Sequence, residues 1–277
     1  MTYRNMVVKV DAGSPILGTR VGVDFSTKNE VKRQLAANID ADDQLRFNGD
    51  VDCKITVDFL LRSDGGVYQD QELNYLFDNY HGTGASAMVL DIGGNEYSEC
   101  FIDNFSLTVK PFEPVVGSVS FSCYSPSITS LGGVNDDTVN DYLNTQSIIY
   151  GHNCTLTNAG NVVAANIIDN LTYNKTYSRT PVYTLGSQQA TSHLVDGVEV
   201  EMNVQSTGLN ELIDFSGSKL TSIFGVALQD SSSVGVSYDS TDFDLIVNAG
   251  AHVVSEGYSM DGGGTLVTKA TIKEVIL

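Results

Sequence analysis

The chain has 277 residues, of which 42% are hydrophobic, and its 15 basic and 34 acidic residues give a formal net charge of −19. That hydrophobic share argues against disorder over most of the chain, and no run approaches the roughly 18 apolar residues of a membrane-spanning helix. The acid excess argues against holding DNA or RNA, because binding phosphates requires clustered Lys and Arg.

Taken in chain order, the first segment, Met1 to Ser14, has no apolar stretch of signal-peptide length, since Val7 and Val8 are followed by Lys9. The expectation is synthesis and retention in a cytoplasm. Lys28–Asn48 is polar, lacks a clear strand pattern and holds a few apolar residues, Leu35, Leu45 and Phe47. Asn48-Gly49 is a dipeptide of the tight-hairpin type. It leads into Val51–Val57, where Val51, Cys53, Ile55 and Val57 alternate with polar residues as in a half-buried strand. A Gly-rich stretch around Gly65-Gly66 follows, then Leu73-Asn74-Tyr75-Leu76-Phe77-Asp78. Its apolar residues fall at i, i+3 and i+4, one face of a short amphipathic helix. Phe105–Val109 and Val119–Cys123 flank a turn from Pro111 to Gly117 and read as a hairpin.

The stretch from Tyr124 to about Val162 is rich in Ser, Asn, Gly and Asp and reads as a linker plus a first strand. Thr176–Asp196 is a second long polar excursion, carrying Val182, Tyr183, Leu185 and Leu194. Asp196-Gly197 is again a hairpin-type dipeptide before an alternating strand, Val198–Val204. Leu209-Asn210-Glu211-Leu212-Ile213-Asp214 repeats four of the six residues of the first helix. A last hairpin runs from His252–Ser255 through Asp261-Gly262-Gly263-Gly264 to Leu266–Ile272.

The same order of elements therefore occurs twice. The strands are 147 residues apart (51 to 198), the helices 136 (73 to 209) and the hairpin glycines 147 (117 to 264). This predicts a duplication. A first β-rich domain spans 1–125, a linker 126–149 and a second domain 150–277, each domain with one short flanking helix. The fold class expected is mainly β (α+β).

The sequence carries no catalytic signature. His81, His152, His193 and His252 are scattered, and GxSxG, P-loop and dinucleotide-binding patterns are absent. Asp42-Asp43 and Asp136-Asp137 lack the calcium-loop pattern. No metal, cofactor or catalytic residue is expected, and the chain reads as non-enzymatic. Cys53 reads as a core thiol. Cys100 and Cys123 fit neighbouring strands, but cytosolic synthesis favours free thiols, and no two of the four cysteines form a CxxC pair.

The duplicated order resembles the tail-tube superfamily of phages and related injection machines. The residues carrying the resemblance are Asn174–Tyr183, which lead into a long excursion, its return at Asp196-Gly197 to Val198–Val204, the helix at Leu209–Phe215 and the Gly-rich hairpin at the domain end. The resemblance covers both halves. It implies two tandem β-sandwich or barrel domains that assemble with copies of the chain into rings, either a trimer with pseudo-sixfold symmetry or a hexamer. The rings stack into a virion tail tube, assembled in the host cytoplasm. The partners implied are other copies of the chain and other tail proteins, with no membrane, and DNA passes through without specific binding. A negative lumen would suit that passage. The excursions bearing Leu35, Leu45, Phe47, Val182, Tyr183, Leu185 and Leu194 are then loops mobile in the free chain and ordered against the adjacent ring. Competing readings are another tail ring component (baseplate hub or terminator), a capsid decoration protein, or an all-β binding module or enzyme without a recognisable motif.

Overall fold

A computed structural model describes residues 6–11, 15–27, 30–32, 45–47, 51–64, 67–68, 87–124, 128–130, 147–158, 161–162, 167–185, 190–207, 219–220, 224–227, 237–238, 241–242, 244–248, 250–260 and 266–276. Both sequence-predicted helices, Leu73–Asp78 and Leu209–Asp214, lie outside these residues. The described chain is almost all strand. The first part holds β1 (Met6–Val10), β2 (Pro15–Thr27), β3 (Glu30–Lys32), β4 (Leu45–Phe47), β5 (Val51–Leu60), β6 (Arg62–Asp64), β7 (Val67–Tyr68), β8 (Met88–Ile92), β9 (Asn95–Val109) and β10 (Val116–Cys123). Next come β11 (Ile128–Ser130), β12 (Ser147–Ile148), β13 (Thr155–Asn158), β14 (Asn161–Val162), β15 (Ile167–Val182) and β16 (Ser192–Thr207). The last are β17 (Phe224–Ala227), β18 (Ser237–Tyr238), β19 (Thr241–Asp242), β20 (Asp244–Val247), β21 (His252–Met260) and β22 (Leu266–Ile276). One 3-10 turn, Gly151–Asn153, is the helical element among the described residues.

Six strands close into a barrel in the order β10-β5-β2-β1-β8-β9, with β9 pairing back onto β10. The alternation read from the sequence builds its wall: Cys53, Ile55, Val57 and Phe59 point inward against Phe105, Leu107, Val119 and Phe121, all buried. Four further antiparallel strands, β15-β16-β22-β21, continue the sheet outward from β9. The division occurs along β9 itself. Its first half pairs with β8 (Asn95↔Ile92 to Cys100↔Met88), and its second half pairs with β15 (Asn104↔Thr176 to Val109↔Leu171). Glu99 sits at the parting with φ 55, where Ser98 and Glu99 of β9 oppose the single residue Val89 of β8.

The strands β2-β5-β10-β9 and β15-β16-β22-β21 have the same antiparallel order, and their irregularities coincide. Register shifts leave Thr19 unpaired beside Asp58/Phe59 on β2, and Asp169 unpaired beside Gln205/Ser206 on β15. The offsets are 150 (19 to 169) and 147 (58 to 205). Shifts likewise leave Asp103 unpaired in β9 beside Ser120/Phe121, and Val254 in β21 beside Thr271/Ile272. The offset there is 151 for both strands (103 to 254, 120 to 271). This corrects the spacing of 147 taken from Gly117 and Gly264: by register, the counterpart of Gly117 is Thr268. Gly264 lies outside the described residues. Gly117 is inside β10, where an added Cβ would collide with the Phe59 ring and meet Leu107 Cδ2 at 2.9 Å. Replacing Gly117 with Ala is expected to overpack the barrel and cost about 1–3 kcal/mol. A denaturant midpoint unchanged from the parent would refute this.

Several further expectations need correction. Asp196-Gly197 is not a turn. Gly197 pairs with Ser178 inside β16, at φ 148, and Asp196 is an extra residue next to it, accepting a hydrogen bond from Thr180 Oγ1. Nor is Thr176–Asp196 a loop without strands, because the β15–β16 ladder continues to Val182↔Ser192. In the first half, Glu30↔Phe47 and Lys32↔Leu45 pair likewise. Glu30↔Phe47 and Thr180↔Leu194 are the same pair under the offsets of 150 and 147. In the second hairpin the more sheltered positions carry Arg179, Pro181 and His193, which removes the apolar alternation that marks a strand in sequence. The 126–149 linker contains β11, paired to β9, and the fully buried Ile149, which bridges Leu61 and Val115 through backbone hydrogen bonds. Cys100 and Cys123 are not free: they oppose each other directly on β9 and β10, Cα atoms 4.2 Å apart, and form a disulfide. Cys53 is a buried free thiol, its pKa pushed up to about 11 by burial first and by Asp24 second.

Candidate assembly interface

The eight strands of the two four-strand sets form one sheet with two contrasting faces. One face is mainly apolar and is buried except on the outer strands β2 and β21. The other is mainly polar: Asp58, Ser118, Ser106, Asn174, Glu201 and Lys273 oppose one another in turn across successive strands, as do Thr56, Ser120, Asn104, Thr176 and Glu199, while Val116 and Val275 are exposed apolar residues on the same face. Lys273 bonds Glu199 at 2.8 Å and Glu201 at 2.7 Å, which pulls the Glu201 carboxyl below its usual range and raises the lysine. This face carries Lys54, Lys269 and Lys273 beside Asp58, Glu199 and Glu201, so the acid excess of the chain is not concentrated on it.

The joint between the two sets is the β9–β15 ladder. On its buried face, Val109 opposes Leu171, Leu107 opposes Tyr173 and Phe105 opposes Lys175. At its far end Arg179 from β15 is buried. Its guanidinium lies 3.8 Å from Asp103, bonds the Ile102 carbonyl and stacks over Phe101 and Tyr177 with centroid distances of 5.3 and 5.8 Å. Asp103 also accepts a hydrogen bond from Ser122. Burial raises its pKa, against the lowering effects of Ser122, Arg179 and Lys54.

Lys175 is 2% exposed, with its ammonium over the Tyr177 ring at 5.4 Å. Burial lowers its pKa from 10.5 to about 8, while Glu274, two strands away across Val200, opposes the shift. Between about pH 8 and 10.5 the unfolded chain holds this proton and the folded chain does not, so stability rises with pH across that window. The predicted gain is on the order of 2–3 kcal/mol. Lys175→Met removes that rise and is more stable than the parent at neutral pH. Parallel stability–pH curves for the two proteins, measured by urea titration, would rule this out.

The residues singled out from sequence fall in three places. Leu35 lies outside the described residues. Leu45 and Phe47 are on β4. Val182, Tyr183, Leu185 and Leu194 gather at the tip of the β15–β16 hairpin, Val182 half-buried and the other three exposed, Leu185 completely so. Below that tip, His193 packs on Phe101 with ring centroids 4.3 Å apart and borders an open pocket of about 300 Å³ with Glu99, Tyr124 and Thr191. Among the described residues no group of three or more metal-type ligands converges, and no helix is long and apolar enough to cross a membrane. Sequence reasoning missed the exposed apolar residues of β21, Val254, Tyr258 and Met260, and Phe25 of β2. Their signal was the alternation Glu256, Tyr258, Met260, beyond Ser255, where the strand was taken to end.

The fold defines a β-barrel protein with an extended sheet whose outer strands have open edges among the described residues. Comparison with protein-family models and with curated proteins yields no match for the chain.

Proposed function

We propose that the chain is a structural, non-enzymatic virion protein of the tail-tube type. It comprises two tandem tube-like β domains, and its rings stack into a conduit for DNA delivery. The observation that carries this reading is the repeated four-strand set, alike in strand order and in the positions of two bulges, fused into one sheet. Bulges are placed features rather than accidents of a β pattern, so their coincidence supports duplication more strongly than shared alternation does. A chain of two such units suits a ring in which three chains supply six units, or six chains twelve. The polar face of the sheet, rich in Ser, Thr and Asn with charges of both signs, suits a wall along which DNA moves without sticking, because it offers no basic cluster to phosphates. The exposed hairpin tips with Leu185 and Leu194 are suited to meeting a neighbouring ring. The chain would be assembled in the host cytoplasm and reside in the tail, contacting other tail proteins.

Negative-stain microscopy with analytical ultracentrifugation tests this. At 29.8 kDa per chain, a closed ring weighs about 89 kDa for three chains or about 179 kDa for six. A strict monomer at high concentration, alone and with other tail proteins, defeats the reading.

A further inference from the structure

The internal joint shows how one four-strand set receives the next: the outer edge of its last strand pairs with the first strand of its neighbour. Among the described residues, each end of the eight-strand sheet lacks that neighbour. Among the described residues, the outer edge of β2 is paired with β1 only over Pro15–Gly18, which leaves Val21–Ser26 open. Among the described residues the outer edge of β21 likewise carries no ladder, only an isolated bridge from His252 to Lys219, and β22 is its one strand partner. These are the counterparts of the segments that meet in the joint. Leu171–Thr176 of β15 corresponds to Val21–Ser26 at an offset of 150, and Asn104–Val109 of β9 to Ser255–Met260 at an offset of 151.

We infer that β21 of one chain adds antiparallel to β2 of a second copy, repeating the β9–β15 pairing between chains. This rests on the ring reading above and supplies its residue-level contact. The register is fixed by the joint: Leu171↔Val109 becomes Val21↔Met260, Tyr173↔Leu107 becomes Val23↔Tyr258, and Lys175↔Phe105 becomes Phe25↔Glu256. Two of the three pairs are apolar on both sides. Met260 is 70% exposed, Tyr258 53% and Phe25 49% in the single chain, whereas Val109, Leu107 and Tyr173 are buried at the internal joint. An open antiparallel edge carrying exposed apolar residues is a template for another strand. The contact is heterologous, head to tail, so it propagates from chain to chain and closes into a ring when the rotation permits.

The test uses the full chain with Cys154→Ser, which removes the partly buried thiol that lies outside the disulfide. Gly22→Cys in one population is mixed with Ser259→Cys in another, and Val23→Cys with Tyr258→Cys. A Cβ at Gly22 meets no atom within 4 Å, so that variant keeps its fold. Oxidation should give cross-linked dimers from both pairs, well above those from the mismatched pair Gly22→Cys and Gly257→Cys. Separately, Tyr258→Lys with Met260→Lys should abolish assembly while leaving the melting temperature of the monomer unchanged. Rings that form without these cross-links, or that survive the double lysine variant, overturn the inference and leave the ring reading standing. A parent chain that never assembles overturns both.

Discussion

Replacing Arg179 with Ala is expected to lower stability by about 3–5 kcal/mol, among the largest single-residue losses available in this chain. The guanidinium is fully buried between Phe101 and Tyr177 and faces the Asp103 carboxylate on the neighbouring strand. Removing it leaves Asp103, itself largely withdrawn from water, without its cation and empties a stacked layer. Arg179→Lys should recover little, because an ammonium can neither lie flat between two rings nor present a fork to the Ile102 carbonyl and Asp103 together. Asp103→Asn should be milder, since burial already disfavours the charge on that residue. The double variant should lose less than the sum of the singles, because the two groups act on each other. Chemical denaturation of the four proteins measures this, and additive losses would show that the pair is not coupled.

Tyr173→Ala is the second large effect, about 3–5 kcal/mol. Tyr173 is 2% exposed and lies between Leu107 of β9 and Met202 of β16. Its ring bridges the barrel and the four added strands, and its hydroxyl pKa is raised by burial and by Glu274. A cavity here weakens the joint more than the barrel. Hydrogen exchange should therefore quicken in β15, β16 and β22 ahead of β5 and β10, whose own core layer of Ile55, Phe121 and Val57 is intact. Uniform acceleration across all these strands would instead mean one cooperative unit.

The β class, the inward faces of β5 and β16 and the repeated order of strands were legible in the residues, because alternation records which side of a strand leaves water. Cys53, Ile55 and Val57, like Val198, Val200, Met202 and Val204, are buried as their spacing requires. The second long hairpin was read as a loop because its sheltered positions hold Arg179, Pro181 and His193, which give no apolar alternation. Asp196-Gly197 looked like a turn because the positive φ that a turn asks of glycine is asked equally by a bulge. The partners of Asp103 and Lys175 were invisible in sequence, since Arg179 and Glu274 lie 76 and 99 residues further on.

By itself the sequence determined which residues face inward and that two strand patterns recur, since both depend on local spacing. Only the tertiary structure decided that β9 splits its edge between β8 and β15. It also decided that Cys100 meets Cys123, and that Phe25, Tyr258 and Met260 lie on edges without a strand beside them among the described residues. Those outcomes depend on which strand wins each hydrogen-bonding edge, a competition among segments far apart in the chain that no local pattern encodes.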